Sequence, residues 1–259
     1  HLLFNLTRGT VQREENSENG FRITNADPSD SYYLIAENGD FLPATNTESV
    51  SFTNYRSEDS DLDFLIVTSE KLRSSSSGSD PVQEYAAFRR SQEGGGYRVG
   101  IVNMEELYDQ YSYGVVRHPL GLRNYLADLR VVHPELRYVF MIGKGREYRD
   151  LRTAEELLTA GDTYYIPSFG LPASDNLLSA DLGSVVPAFA TGRLSVVNAD
   201  EIDIYLDKVR DFAAQHNLAQ TLDQRDWMKQ IVHLGGGGAP GEQTSIRNSL
   251  SNMENTLET

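Results

Sequence analysis

Residues 62–102, LDFLIVTSEKLRSSSSGSDPVQEYAAFRRSQEGGGYRVGIV, decide the fold class. Their opening, 62–68, is apolar with almost no alternation, as in a strand buried on both faces. A loop with four consecutive serines, Ser74 to Ser77, leads to a helix expected near 80–92, whose Tyr85, Ala86 and Phe88 give it an apolar side. Gly94, Gly95 and Gly96 stop that helix, since glycine accepts the left-handed backbone of a helix end. Residues 97–102 follow as a second apolar strand. The unit is strand, helix, strand.

The same grammar continues along the chain. Asn103, with Glu106 three residues on, has the spacing of a helix cap, and Leu107, Tyr108 and Tyr111 begin a helical face. Leu122, Tyr125, Leu126 and Leu129 predict a helix over 120–129 that ends near Pro134, and 137–142 predicts a third buried strand. The run 185–194, interrupted by Thr191-Gly192, predicts a fourth. Asn198 and Glu201 then form a second capping pair ahead of a helix with Ile202, Tyr205, Leu206, Val209, Phe212 and Ala213 on one face. Beyond Trp227, the apolar run 231–234 predicts a further strand. Buried strands separated by helices imply a parallel sheet covered on both faces, so the fold class is α/β.

Residues 1–60 have a different texture. They are rich in Asn, Ser, Asp and Glu, with apolar islands at 2–6, 21–23 and 32–35. Alternation at Phe21 and Ile23 and at Tyr33 and Ile35 suits half-buried strands, and Asp27-Pro28 and Asn38-Gly39-Asp40 are turn chemistry. A β-rich lead-in over 1–60 is expected to precede the α/β domain over 61–259. The sequon Asn5-Leu6-Thr7 reads as part of a strand.

Composition narrows the function. Hydrophobic residues make up 39% of the 259, enough for a core. A net charge of -15 argues against nucleic acid as a partner, because phosphate binding needs clustered Lys and Arg. No apolar run approaches the roughly 20 residues of a membrane span. Cysteine is absent, which excludes disulfides, thiolate metal sites and a cysteine nucleophile within these residues. The start at His1 and the end inside a helical pattern read as a piece of a longer protein.

No catalytic residue emerges. His233 is expected at a strand end, His118 and His133 in loops beside Pro119 and Pro134, and His216 at the C-terminus of the long helix. The glycine-rich stretches at Gly235 to Gly238 and Gly143-Lys144-Gly145 lack the Gly-Lys-Ser/Thr ending of a phosphate loop. Asp175 and Asp181, on irregular backbone before Pro187, are the candidate ligands for a structural calcium, with solvated loop acids as the plainer reading. No other cofactor is expected.

Scattered positions also carry a resemblance. Leu65-Ile66-Val67-Thr68, Val99-Gly100-Ile101-Val102, Leu107-Tyr108-Asp109-Gln110-Tyr111 with Gly114, Leu122-Arg123-Asn124-Tyr125-Leu126, Tyr138-Val139-Phe140-Met141-Ile142-Gly143, Tyr165-Ile166-Pro167, Ser174-Asp175, Pro187, Gly192-Arg193-Leu194, Glu201, Lys208-Val209 and Trp227 together resemble the gingipain family of cysteine peptidases and its sortase-like secretion-system relatives.

That resemblance implies a caspase-like sandwich with helices on both faces. It is truncated here, with a first subdomain near 61–160 and the start of a second near 161–259. It implies a bacterial, secreted or surface-exposed cysteine endopeptidase acting on protein or peptide substrates. Its Gly-His-Gly and cysteine motifs are expected beyond these residues, so the chain alone is expected to be inactive. In arginine-specific members an acid shortly before the Gly-Arg pair sits in the substrate pocket. That place falls near Gly183-Ser184 here, and Asp181 fills it only if the loop shifts. The alternative is a non-catalytic α/β binding module of the same fold. A truncated sheet with an open edge also predicts self-association.

Overall fold

The computed structural model describes residues 2–13, 23, 26–35, 49–55, 61–146, 163–181, 183–218 and 221–257. They fall into two compact units, residues 1–51 and 52–259.

The first unit is a three-stranded antiparallel sheet in the order β2-β1-β3, built from β1 (Leu2–Asn5), β2 (Thr10–Arg13) and β3 (Tyr32–Ile35). Leu3 lies opposite Gln12 on one side and Leu34 on the other, and it is the one buried hydrophobic side chain among the unit's described residues. Asp27 organises the turn before β3, accepting from the Ser29 amide at 3.0 Å and the Ser29 hydroxyl at 2.7 Å. These bonds hold its carboxyl below the usual range. Asn5 is a strand residue donating to Asp30 at 2.8 Å. The turn at Asn38-Gly39-Asp40 and the strand reading at Phe21 lie outside the described residues.

The second unit holds a four-stranded, wholly parallel sheet in the order β5-β4-β6-β7. Its strands are β4 (Phe64–Thr68), β5 (Val99–Asn103), β6 (Tyr138–Ile142) and β7 (Ala190–Leu194). Register sorts the side chains into two layers. Phe64 pairs with Tyr138 and Ile66 with Phe140 on one face, while Leu65 and Val67 pair with Val139 and Met141 on the other. Helices α1 (Pro81–Arg90) and α5 (Asp200–Leu218) pack together over the first face, where Phe140 lies 5.3 Å from Tyr85 and 6.0 Å from Tyr205, ring to ring. Helices α2 (Met104–Tyr111) and α3 (Pro119–Val132) pair over the other, with the short α4 (Asn176–Ser179) against α3.

Local chemistry sets several boundaries. Asp80 accepts from the Gln83 amide at 3.0 Å and Pro81 opens α1, a residue whose missing N–H costs nothing there. At its end the chain doubles back so tightly that a Cβ on Gly94 would stand 1.8 Å from the Phe88 carbonyl oxygen. The second capping pair forms as expected: the Glu201 amide donates to Asn198 at 3.0 Å, and the Glu201 carboxylate reaches back to the Val197 amide at 2.9 Å. His118 caps α3 through Nδ1, and His133 ends it.

Three expectations change. The fourth strand begins only at Ala190, with Val185 and Val186 exposed, because Pro187 has no N–H for a ladder and makes only an isolated bridge to Ala180. Asn103 sits at the cap position of α2 without capping it. The run 231–234 forms no strand: none of the described strands pairs with it, and Ile231, Val232 and Leu234 face solvent. His233 is therefore not at a strand end. A 3-10 helix at Asp223–Lys229 precedes the run, and just after it Gly235 lies against helix α6 (Pro240–Leu257), where a Cβ on Gly235 would meet Leu250 at 3.0 Å and Ile246 at 3.3 Å.

Candidate functional site at the carboxyl end of the sheet

In an open parallel sheet the strands end together at one rim, and the loops leaving that rim are where ligands are met. Here the rim is formed by Thr68 and Ser69 after β4, Asn103 after β5, Gly143 and Lys144 after β6, and Val196 after β7. The strand ends are laced together. The buried Thr68 hydroxyl donates to the Ile142 carbonyl at 3.2 Å, the Gly143 amide to Leu194 at 2.9 Å and the Lys144 amide to Val196 at 3.0 Å.

Arg193 is the central device. Its Nε and Nη2 each reach the Asp175 carboxylate at 2.8 Å, a two-pronged pair. Nη1 donates to the Gly143 carbonyl at 2.9 Å and to Ile166 at 3.1 Å, and Nη2 also reaches Pro167 at 3.3 Å. One guanidinium thus binds the end of β6, the segment returning at 163–167 and the start of α4. Its side chain is 11% exposed, so the carboxylate and carbonyls take over the role of water. The flanking glycines make room beside it. A Cβ on Gly145 would come within 3.1 Å of Arg193 Nη1, and one on Gly143 within 2.9 Å of Tyr165 Cβ. Gly143 is thus required by the packing of Tyr165, Leu72 and Ile166, and Gly145 by Ser168 and the Ile166 carbonyl with the arginine behind them.

A second group of side chains sits where β4 and β5 end. The Ser69 hydroxyl donates to Glu105 at 2.5 Å, the Glu70 amide to the same carboxylate at 3.2 Å, and the Asn103 amide nitrogen to Glu70 at 2.6 Å. Glu70 holds the Asn103 side chain through Nδ2, and Oδ1, the atom a cap would use, accepts from no amide of α2. Glu106 is engaged elsewhere too, accepting from Thr53 at 2.9 Å and from the Tyr55 hydroxyl.

Tyrosines fill the space behind. Tyr165 donates to the Val197 carbonyl at 2.7 Å, and Tyr164 lies beneath the Arg117 guanidinium, 5.7 Å from it. Burial pushes the Tyr164 hydroxyl up to about 12 in spite of Arg193 and Arg117, and burial drives Tyr108 higher still. These phenols stay protonated near neutral pH and are not bases. Three of the described histidines are likewise occupied elsewhere or exposed: His118 as a cap, His133 against the Tyr55 carbonyl at 3.3 Å, and His216 in the last turn of α5, 6.3 Å from the Phe212 ring.

The two candidate calcium ligands do not come together around a common point. Asp175 is engaged by Arg193 and by Ser168 at 3.3 Å, while Asp181 pairs on the surface with Arg130 at 3.1 Å. Among the described residues no group of three or more His, Cys, Asp or Glu side chains could hold a metal ion. The rim can orient loops and bury tyrosines, yet it has no thiolate to attack with, because the chain has no cysteine. Sequence reasoning singled out Gly192-Arg193 without a role for the arginine. The signal was there: a guanidinium inside an apolar strand run must find a carboxylate.

A parallel sheet with two helices packed on each face, and loops locked together at its carboxyl rim, defines an α/β protein of the caspase-like class. The model of peptidase family C25 matches residues 57–259, and the chain belongs to that family, the gingipain family of cysteine peptidases. Searches of curated proteins and of solved structures returned no match. No described helix is long and apolar enough to cross a membrane.

Proposed function

We propose that this chain is the scaffold portion of a secreted or surface-exposed bacterial cysteine endopeptidase, and that its Cys/His pair lies on polypeptide outside these residues. The observation that carries the reading is the conjunction of membership in a cysteine peptidase family with a sequence containing no cysteine. Peptide-bond hydrolysis by this family needs a thiolate, an imidazole base and oxyanion donors. What these residues supply is the locked carboxyl rim against which such a pair works. The exposed run 231–234 supports the reading, since an apolar segment without a neighbouring strand is a place for further polypeptide to pair. Substrates are proteins or peptides.

The experiment compares two proteins on a panel of fluorogenic peptides, this chain and its gene-encoded C-terminal extension, each with and without a thiol-alkylating reagent. Activity confined to the extended protein and abolished by alkylation is expected. Silence from an extended protein that is folded favours the non-catalytic module of the same fold. The same exposed surface predicts self-association of the isolated chain; a clean monomer by light scattering over a wide concentration range contradicts it.

A further inference from the structure

Residues 52–55, Phe-Thr-Asn-Tyr, lie against the α2–α3 layer as a short strap that turns on itself, the Tyr55 amide donating to the Thr53 carbonyl at 3.1 Å, and they meet the layer through side-chain and carbonyl contacts of the kind a groove makes with a bound peptide. Glu106 on α2 accepts from the hydroxyls of both Thr53 and Tyr55. Gln110, one turn further along α2, donates through Nε2 to the Thr53 carbonyl at 3.1 Å, and His133 at the end of α3 meets the Tyr55 carbonyl at 3.3 Å. The Tyr55 ring stands edge-on to Tyr125 at 5.0 Å, and Tyr125 edge-on to Tyr111 at 5.2 Å, so the tyrosine enters an aromatic slot. Burial first, and Glu106 second, drive its hydroxyl well above the ordinary phenol range.

The strap packs with the compact unit it lies on, which begins at Phe52, but falls outside the stretch that the family match covers, which begins at residue 57. A cavity of about 430 Å³ also remains between the strap, the β5 edge and α3, with Tyr55, Leu65, Ile101, Tyr125 and His133 on its walls. The strap is laid over the layer at discrete anchor points and is not a fully packed core segment.

We propose that the α2–α3 layer carries a peptide-docking groove for a turned Thr-Xaa-Tyr segment, occupied in cis by residues 53–55, and that this contact tethers the N-terminal part of the chain to the peptidase-family domain. Side chains give the specificity: one carboxylate between two hydroxyls at alternate positions, and an aromatic slot for the second. Backbone carbonyls give the register through Gln110 and His133.

The test uses the full chain with a protease recognition sequence placed between residues 56 and 60, so that the connection is cut while the strap stays on the N-terminal piece. After cleavage the two pieces are expected to co-elute on size exclusion. Tyr55→Ala and Glu106→Ala are expected to abolish co-elution, and a synthetic peptide covering residues 49–56 is expected to release the N-terminal piece from the cleaved parent. Separation in the parent overturns the tether, and so does co-elution that persists in both alanine variants. Tyr55→Phe and Glu106→Gln keep the packed volume where the alanine variants fail to fold. If the two hydroxyls and the carboxylate act as one contact, the pair together weakens retention by less than the product of the single effects; independent effects overturn the shared anchor.

Discussion

Two apolar runs of similar composition meet opposite fates in this chain. Phe64, Leu65, Ile66 and Val67 are 7%, 1%, 0% and 0% exposed, whereas Ile231, Val232 and Leu234 are 62%, 77% and 90% exposed. Both satisfy the same sequence rule for a buried strand. What differs is the neighbourhood: β4 has a parallel partner on each side and a helix pair over each face, and the run 231–234 pairs with none of the described strands. Hydrophobic pattern states a tendency to be buried, and a strand forms only where another edge accepts its backbone bonds.

The contrast can be broken most directly by cavity substitutions. Ile66→Ala should cost about 3–4 kcal/mol in urea unfolding, whereas Val232→Ala should stay within about 0.5 kcal/mol, because an exposed side chain loses no packing. Near-equal costs for the two would mean that the second run is buried in solution. Amide exchange sharpens the same point: Phe64–Thr68 should be among the slowest amides and 231–234 among the fastest.

Next in size is the rim. Arg193→Met leaves Asp175 and the carbonyls of Gly143, Ile166 and Pro167 without their donor, and should destabilise by about 3 kcal/mol. Arg193→Lys should recover only part of this, since an ammonium cannot reproduce the two-pronged geometry. A cost below about 1 kcal/mol for the methionine variant would show that the rim is not held by this arginine.

A smaller effect is expected at the start of α5. Asn198→Ala removes the acceptor of the Glu201 amide and should cost about 1 kcal/mol, while Asn103→Ala should not loosen the first turn of α2, where no side-chain cap exists. Equal fraying of both helices by NMR would contradict the assignment.

The smallest effect concerns the seam between α1 and α5. Burial, then Glu84, with Asp200 and Asp207 behind, raise the Asp203 carboxyl although a Ser75 hydrogen bond opposes the shift. A carboxyl raised in the folded state binds its proton more tightly there. Its contribution is therefore present below the ordinary value of 3.8 and is lost as pH rises through the folded value. Asp203→Asn should accordingly be slightly more stable than the parent at pH 7, with the advantage gone in acid. Stability curves that stay parallel across that range would rule this out.

Much of the fold was legible because it rests on periodicity and local chemistry. The strands β4, β5 and β6, the helices α1, α3 and α5, and the Asn198–Glu201 cap all follow from residue type and spacing. The sequence could not say which carboxylate each polar group would choose. Asn103 and Glu106 have the spacing of a cap, yet in the folded chain Asn103 bonds to Glu70 and Glu106 to Tyr55. Asp175 looked like a loop acid and proved to be the counter-ion of Arg193, across 18 residues of sequence.

By itself, then, the sequence determined an α/β domain without a thiolate, because burial periodicity and composition are properties of the chain alone. Tertiary structure alone decided that Gly143 and Gly145 make room for the returning segment at 165–168, that Tyr55 is received by α2 and α3, and that 231–234 pairs with none of the described strands. Each of these depends on which groups from distant parts of the chain come within hydrogen-bonding reach, and that is set only when the layers have packed.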